Sequence, residues 1–340
     1  MTLLSHKELR VFLAYTESEL ERYYSDDALQ VLQRHAQVVH NTTGRVLDGV
    51  ELAEAAAGCH VVIAHRSVSG TDAAFARMPN LIAFLRCAVD ISTIDVDAAS
   101  AHGILVTRAT RGFGQAVAEL GLGLMFNLAR GISRADHAYK IGGLFVPHKS
   151  GQLSGAVLGI VGFGFIARHL AALGKGIGMR VIVSDPYASS EQLGDMARSF
   201  SGLFAEADFV VCLAASNAET ANLFDTKALA SMKRGAFLIN LARGELVDEA
   251  ALEAALDAGH IRGAGLDVGR GPDQMPSARL AVRPDVIATP HIGGMTVTAR
   301  AHQAMDTARQ LVSIASGQMP EGAVNPEKAV RLTHYFDTLS

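Results

Sequence analysis

Ala156-Val157-Leu158-Gly159-Ile160-Val161-Gly162-Phe163-Gly164-Phe165-Ile166-Ala167 is an apolar run that ends on two closely spaced glycines and then turns amphipathic. A second apolar run, Arg180–Ser184, is closed by an acid, Asp185. Gly162 lets the chain turn tightly off a strand. Gly164 lets backbone N–H groups approach a pyrophosphate at a helix N-terminus, where the helix dipole favours an anion. Phe165 and Ile166 open that helix, and Ala167 stands where a third glycine usually gives close helix–sheet packing, a substitution the pattern allows. Asp185 follows Gly162 by 23 positions, near the ~20 at which a carboxylate receives ribose hydroxyls. The stretch predicts a dinucleotide-binding turn, and the acid predicts NAD over NADP, because it repels a 2′-phosphate.

Outward from this turn, the apolar runs Ala156–Val161, Arg180–Ser184, Asp208–Leu213, Ala236–Asn240, Gly265–Val268 and Val286–Ala288 alternate with helical patterns and predict a complete doubly wound domain. Upstream, Val11–Tyr15, His60–Ala64, Leu81–Arg86 and Ile104–Thr107 alternate with helical patterns such as Ser18–Ala36 and Asp95–His102. That alternation predicts a second parallel α/β sheet. Val117, Leu120, Leu124, Leu128 and Ile132, three or four apart, predict a helix from Gln115 to about Ser133. A polar, glycine-containing stretch, Lys140–Ser154, leads from it into the dinucleotide domain. After Pro290 come another helical pattern, Thr296–Ser316, and a short tail. Termini commonly return to the domain where the chain began. The expected division is therefore a discontinuous domain, 1–110 plus 296–340, with a Rossmann domain, 111–295, inserted in it.

Composition narrows the function classes. At 340 residues, 49% hydrophobic, the chain supports about two domains, each with its own core. Thirty basic and 34 acidic residues give a net charge of −4, with no Lys/Arg cluster to track a phosphate backbone, so nucleic acid is not expected as a partner. Cys59, Cys87 and Cys212, an odd number scattered through apolar runs, read as buried thiols in a reducing compartment. Met1–Arg10 has no apolar signal region, and the longest apolar stretches are short, glycine-broken or interrupted by Glu119. Neither export nor membrane insertion is expected, which points to the cytoplasm. No metal site is expected.

Three further clusters fall at the C-terminal ends of predicted strands, where ligands bind in open α/β sheets. They are Asn240-Leu241-Ala242-Arg243-Gly244-Glu245, Gly265-Leu266-Asp267-Val268 and Thr289-Pro290-His291-Ile292-Gly293-Gly294. An arginine, an acid and a histidine thus converge on one sheet edge. With Asp95-Val96-Asp97-Ala98-Ala99, Val117-Ala118-Glu119 and Ser184-Asp185-Pro186-Tyr187 in fixed order, the chain from about residue 80 to 325 resembles the D-isomer-specific 2-hydroxyacid dehydrogenases.

The resemblance implies two doubly wound parallel-sheet domains, a flavodoxin-like substrate domain and an inserted Rossmann NAD-binding domain, with the active site in the cleft between them and usually a homodimer. It implies hydride transfer between NAD and a small D-2-hydroxy acid or 2-oxo acid. Arg243 matches the arginine that binds the substrate carboxylate and polarises the carbonyl, a task suited to a permanent cation with a planar donor fork. His291 matches the acid/base, a group that titrates near neutrality and can take or return the hydroxyl proton. Asp267 matches a position that usually faces the nicotinamide carboxamide; a strand-end cap is its alternative. Ala214, Leu241, Ala242 and Gly293 match further cofactor contacts, and Ala88 and Val89 the substrate loop.

The chain departs from the family pattern at three places. A glutamate usually lies five residues after the aspartate, hydrogen-bonds the histidine and raises its pKa; here Pro272 stands there. Asp273 or Gln274 is expected to replace it, the first preserving charge pairing, the second orienting the ring without a charge. Asp90 replaces a small residue in the substrate loop, where it repels a bound anion unless it points away or pairs with Arg86. The third strand ends Leu213-Ala214-Ala215-Ser216 in place of the common histidine and proline. The altered acid site leaves a formate- or phosphite-dehydrogenase-like reaction as an alternative, and a non-catalytic NAD-sensing scaffold is a third.

Overall fold

Strands that are apolar at every position must be covered on both faces, and the unbroken runs of this chain are buried in that way. The structure is a computed structural model that describes residues 9–144 and 151–339. The chain divides into two compact units, Met1–Gly112 with Val297–Ser340, and Phe113–Thr296.

The first unit holds β1 (Arg10–Ala14), β2 (Gln37–His40), β3 (Val61–Ala64), β4 (Ala83–Arg86) and β5 (Leu105–Arg108). They pair in parallel in the order β2-β1-β3-β4-β5, the flavodoxin-type order. Alternation along the strands splits the core in two. Val11, Leu13, Val61 and Ile63 pack with Ala304, Ala308, Leu311 and Ile314 of the helix Val297–Ala315. Phe12, Ala14, Val62 and Ala64 pack with Leu52, Phe75 and Ala99 on the other face. The late chain segment is therefore part of the first core. Asn325 seals it by accepting from Val106 N at 2.7 Å and donating to Ile104 O at 3.0 Å.

In the second unit β6 (Val157–Val161), β7 (Arg180–Ser184), β8 (Phe209–Cys212), β9 (Phe237–Asn240), β10 (Gly263–Leu266) and β11 (Val286–Ala288) form a parallel sheet in the order β11-β10-β9-β8-β6-β7. Strand order reverses between β6 and β8, which makes their C-terminal ends the topological switch point where ligands bind. The strand that usually lies beyond β7 is reduced to one bridge, Val183 with Ala197. Ile160, Val183 and Ile239 pack under the helices Gly114–Arg130 and Phe165–Gly176; Val161, Val210 and Leu238 pack with Phe204 and Leu252 on the opposite face.

Local chemistry explains where the elements differ from expectation. The predicted Ser18–Ala36 helix is two, Glu17–Tyr23 and Asp26–His35, because Ser25 accepts from Ala28 N and starts a new helix. β2 follows directly, a half-exposed edge strand too short to show a period. The Gln115–Ser133 helix ends at Arg130, where Gly131 turns left-handed at φ 66, and a second helix, Ile132–Lys140, follows. β10 starts two residues earlier than the predicted Gly265–Val268. The tail carries a helix, Val330–Leu339, anchored by buried Leu332. Part of Lys140–Ser154, residues 145–150, lies outside the described residues. Among the described residues no helix is long and apolar enough to cross a membrane, and no group of three or more His, Cys, Asp or Glu side chains could hold a metal ion.

Candidate active site

The glycine turn is built by two different constraints. Gly162 has φ 90, and a Cβ on it would lie 2.7 Å from Ala214 N, so both the backbone angle and the chain leaving β8 demand glycine. Gly164 has an ordinary φ of −78 and nothing within 4 Å of the place a Cβ would take. It is the N-cap of the helix Phe165–Gly176, which has no side-chain cap. An open cradle before uncapped N–H groups fits an anionic pyrophosphate. Asp185, at the end of β7, accepts from Phe163 N at 2.5 Å, Tyr187 N at 2.8 Å and Ala188 N at 3.2 Å, which holds its carboxylate against the turn. Phe165 is exposed and stacks edge-on against His169, and Ile166 is half-buried.

Arg243 sits on the loop after β9. Buried Asn240 folds that loop, accepting from Ala242 N at 3.1 Å and donating to Arg243 O at 2.9 Å. Leu241 is buried against the position of Gly121, and Ala242 is half-buried. The Arg243 guanidinium donates to Ala242 O at 2.8 Å. Gly244 has no room for a side chain, because one would collide with the carbonyl of Gly269.

His291 is held by Asp267. The Asp267 carboxylate, 2% exposed, accepts from Thr289 Oγ1 at 2.6 Å, Ile292 N at 2.9 Å and Gly293 N at 2.9 Å, and its carbonyl accepts from His291 N at 2.9 Å. These bonds make Asp267 the organiser of the histidine loop. His291 itself takes φ 54, a left-handed angle uncommon for a non-glycine residue.

The partner of His291 differs in kind from the expected side chain. Its Nδ1 lies 3.1 Å from the main-chain carbonyl of Asp273. A carbonyl only accepts, so Nδ1 carries the proton and Nε2 is the basic nitrogen of the neutral ring. Gln274 points elsewhere: its Nε2 donates to Glu245 Oε1 at 2.9 Å, and its Oε1 accepts from Gly244 N at 3.5 Å. The reason is geometric. Asp273 and Gln274 both take left-handed φ, 53 and 60, which turns the Asp273 carbonyl toward the histidine and the Gln274 amide toward the arginine loop. Consecutive residues thus join the loops of Arg243 and His291. Arg270, Asn222 and Glu245 complete this network and carry no motif by which sequence could single them out.

In the first unit, Ala88 and Val89 are half-buried at the end of β4. Arg86, 0% exposed, donates to His65 O, to Val68 O at 2.8 Å and to Thr93 Oγ1 at 2.8 Å, binding two loops together. Burial lowers its pKa to about 10, which leaves it a cation at neutrality; the nearby charge of Asp90 works in the opposite direction. Asp90 accepts from Ser92 N at 2.8 Å in an Asx turn.

A family model described as D-isomer specific 2-hydroxyacid dehydrogenase, NAD binding domain, matches residues 122–293. A D-3-phosphoglycerate dehydrogenase of Mycobacterium leprae (strain TN) is 36% identical over 270 residues, covering 78% of this chain and 51% of that protein. One from Bacillus subtilis (strain 168) is 33% identical over 259 residues, 75% of this chain and 49% of its own. The chain spans about half the length of these curated relatives. Among solved structures, a Thermus thermophilus protein matches with a TM-score of 0.82 at 30% identity, over 93% of this chain and 100% of that one. The apo-structure of D-lactate dehydrogenase from Escherichia coli matches with a TM-score of 0.80 over 93% and 100%; at 24% identity it speaks to the fold.

Proposed function

Because this chain belongs to the D-isomer specific 2-hydroxyacid dehydrogenase family, with residues 122–293 as its NAD-binding domain, we propose that it interconverts a small D-2-hydroxy acid and the matching 2-oxo acid. Bound NAD supplies the hydride acceptor and, reduced, the hydride donor. Gly162, Gly164, Phe165 and Ile166 form the pyrophosphate cradle and Asp185 receives the ribose hydroxyls, with Ala214, Leu241, Ala242, Asp267 and Gly293 along the same sheet edge. Arg243 binds the substrate carboxylate and polarises the carbonyl, and main-chain groups of Ala88 and Val89 are the further substrate contacts. His291 takes the hydroxyl proton on Nε2 during oxidation and returns it during reduction, while Nδ1–H stays on the Asp273 carbonyl.

The observation that carries this reading is the Nδ1 contact of His291, since it leaves Nε2 as the basic atom on a loop tied through Gln274 to the loop of Arg243. A homodimer working in the cytoplasm completes the proposal, in keeping with three free, buried cysteines; light scattering tests the dimer. The reaction is tested by following NADH absorbance with glyoxylate, hydroxypyruvate, pyruvate and bulkier 2-oxo acids. Oxidation of NADH with at least one of them is expected, and NADH binding without oxidation by any of them overturns the reading.

A further inference from the structure

We propose that Arg270 is a positioning residue for His291, acting through the loop that carries Asp273; its catalytic meaning rests on the dehydrogenase reading above. A side-chain acceptor can follow a histidine by changing rotamer. A main-chain carbonyl cannot, so its aim is set by whatever holds its loop.

The loop from Gly269 to Met275 folds on itself, with Gly269 N donating to Gln274 O at 2.8 Å, Gly271 N to Met275 O at 2.8 Å and Met275 N to Pro272 O at 3.0 Å. The Arg270 side chain ties this loop to the neighbouring framework at several points, in addition to the two bonds of Gln274. Its Nε donates to Val247 O at 3.3 Å, and its Nη2 to Glu245 O at 3.2 Å and to Asn222 Oδ1. Its main-chain N donates to Glu249 Oε1 at 3.1 Å. Asn222 N donates to the same Glu245 carbonyl at 2.8 Å, so the fork of the arginine grips a second turn that is itself fixed.

Backbone conformation points to the same path. Among the described residues, the non-glycine residues with left-handed φ are Asn222, Asp273, Gln274 and His291. Asn222 is held by Arg270, Asp273 and Gln274 lie on the loop it ties down, and His291 is the end of the path. Sparsely populated angles persist where surrounding structure over-determines them, and they gather at active sites. Arg270, beside the side-chain bonds of Gln274, supplies that over-determination here.

The test is R270A in the full chain, read in two ways. Long-range proton–nitrogen NMR on neutral His291 is expected to show the Nδ1–H tautomer in the wild type and a shift toward Nε2–H in R270A. Turnover of the best 2-oxo acid is expected to fall by less than the roughly 10²–10⁴-fold of the acid–base group itself, with the NADH dissociation constant unchanged. An R270A protein that keeps the Nδ1–H tautomer overturns the proposal, even where turnover falls. If R270A does not fold, N222G removes one acceptor, relaxes a left-handed residue and is read in the same way; an unchanged tautomer there overturns the proposal too. A tautomer shift in a protein that oxidises NADH with no 2-oxo acid upholds the positioning role and removes the dehydrogenase reading. Wild-type turnover with an unmoved tautomer in R270A does the reverse.

Discussion

His291 Nδ1 faces the main-chain carbonyl of Asp273 at 3.1 Å, so a peptide group orients the imidazole where the family pattern has a glutamate carboxylate. A carbonyl fixes the tautomer as a carboxylate does.

Asp273 holds His291 through its carbonyl. Its hydrogen bond to the histidine is made by the backbone, so D273N keeps that bond, and asparagine tolerates the left-handed angle of 53. Turnover and pH profile are expected to stay close to wild type. A loss approaching the 10²–10⁴-fold contribution typical of acid–base groups is the contrary result and would return the role to the side chain.

The two glycines of the turn separate stability from binding. G162A forces alanine into φ 90 against Ala214 N, which costs about 1–2 kcal/mol for the angle alone and lowers thermal stability without cofactor. G164A places its methyl in open space. It is expected to leave stability within about 0.5 kcal/mol and to raise the NADH dissociation constant about tenfold, equivalent to about 1.4 kcal/mol. Unfolding scans and NADH titration check both, and equal behaviour of the two variants contradicts the division.

Asp185 is expected to govern cofactor choice. Three backbone N–H groups hold its carboxylate against the turn, where it repels a 2′-phosphate. NADH is expected to be used more efficiently than NADPH, and D185S to narrow the gap. Equal or better use of NADPH by the wild type contradicts this.

Alkaline stability is expected to depend in part on the buried Cys87 thiol. Burial pushes Cys87 from 9.0 up to about 11. A group whose folded pKa is raised contributes stability that is complete below the unfolded pKa and is lost as pH rises toward the folded one. Stability is therefore expected to decline between about pH 9 and pH 11, and more gently in C87A than in wild type. Melting temperatures across this range check the slopes, and parallel slopes rule out the thiol.

The two sheets are legible in the sequence because buried strands need unbroken apolar runs and turns need glycine, and both constraints leave one-letter traces. Gly162 is the plainest case, with a left-handed φ and a close backbone neighbour. β2 leaves little trace, since four half-exposed residues carry no period. The partner of His291 leaves none: every residue has a carbonyl, and only the left-handed turn at Asp273 and Gln274 decides which one faces the ring. Arg270 is hidden for a related reason, because its acceptors are mainly main-chain oxygens from loops distant in sequence.

His291 is expected to move the proton in a reaction whose hydride goes to or from NAD. The most direct measurement is the steady-state rate of H291N beside wild type, with the best 2-oxo acid and NADH, and NADH affinity determined in parallel. Asparagine tolerates φ 54, so the loop is kept. A kcat lower by about 10²–10⁴-fold is expected, with NADH affinity unchanged. An H291N protein that turns over at the wild-type rate contradicts this.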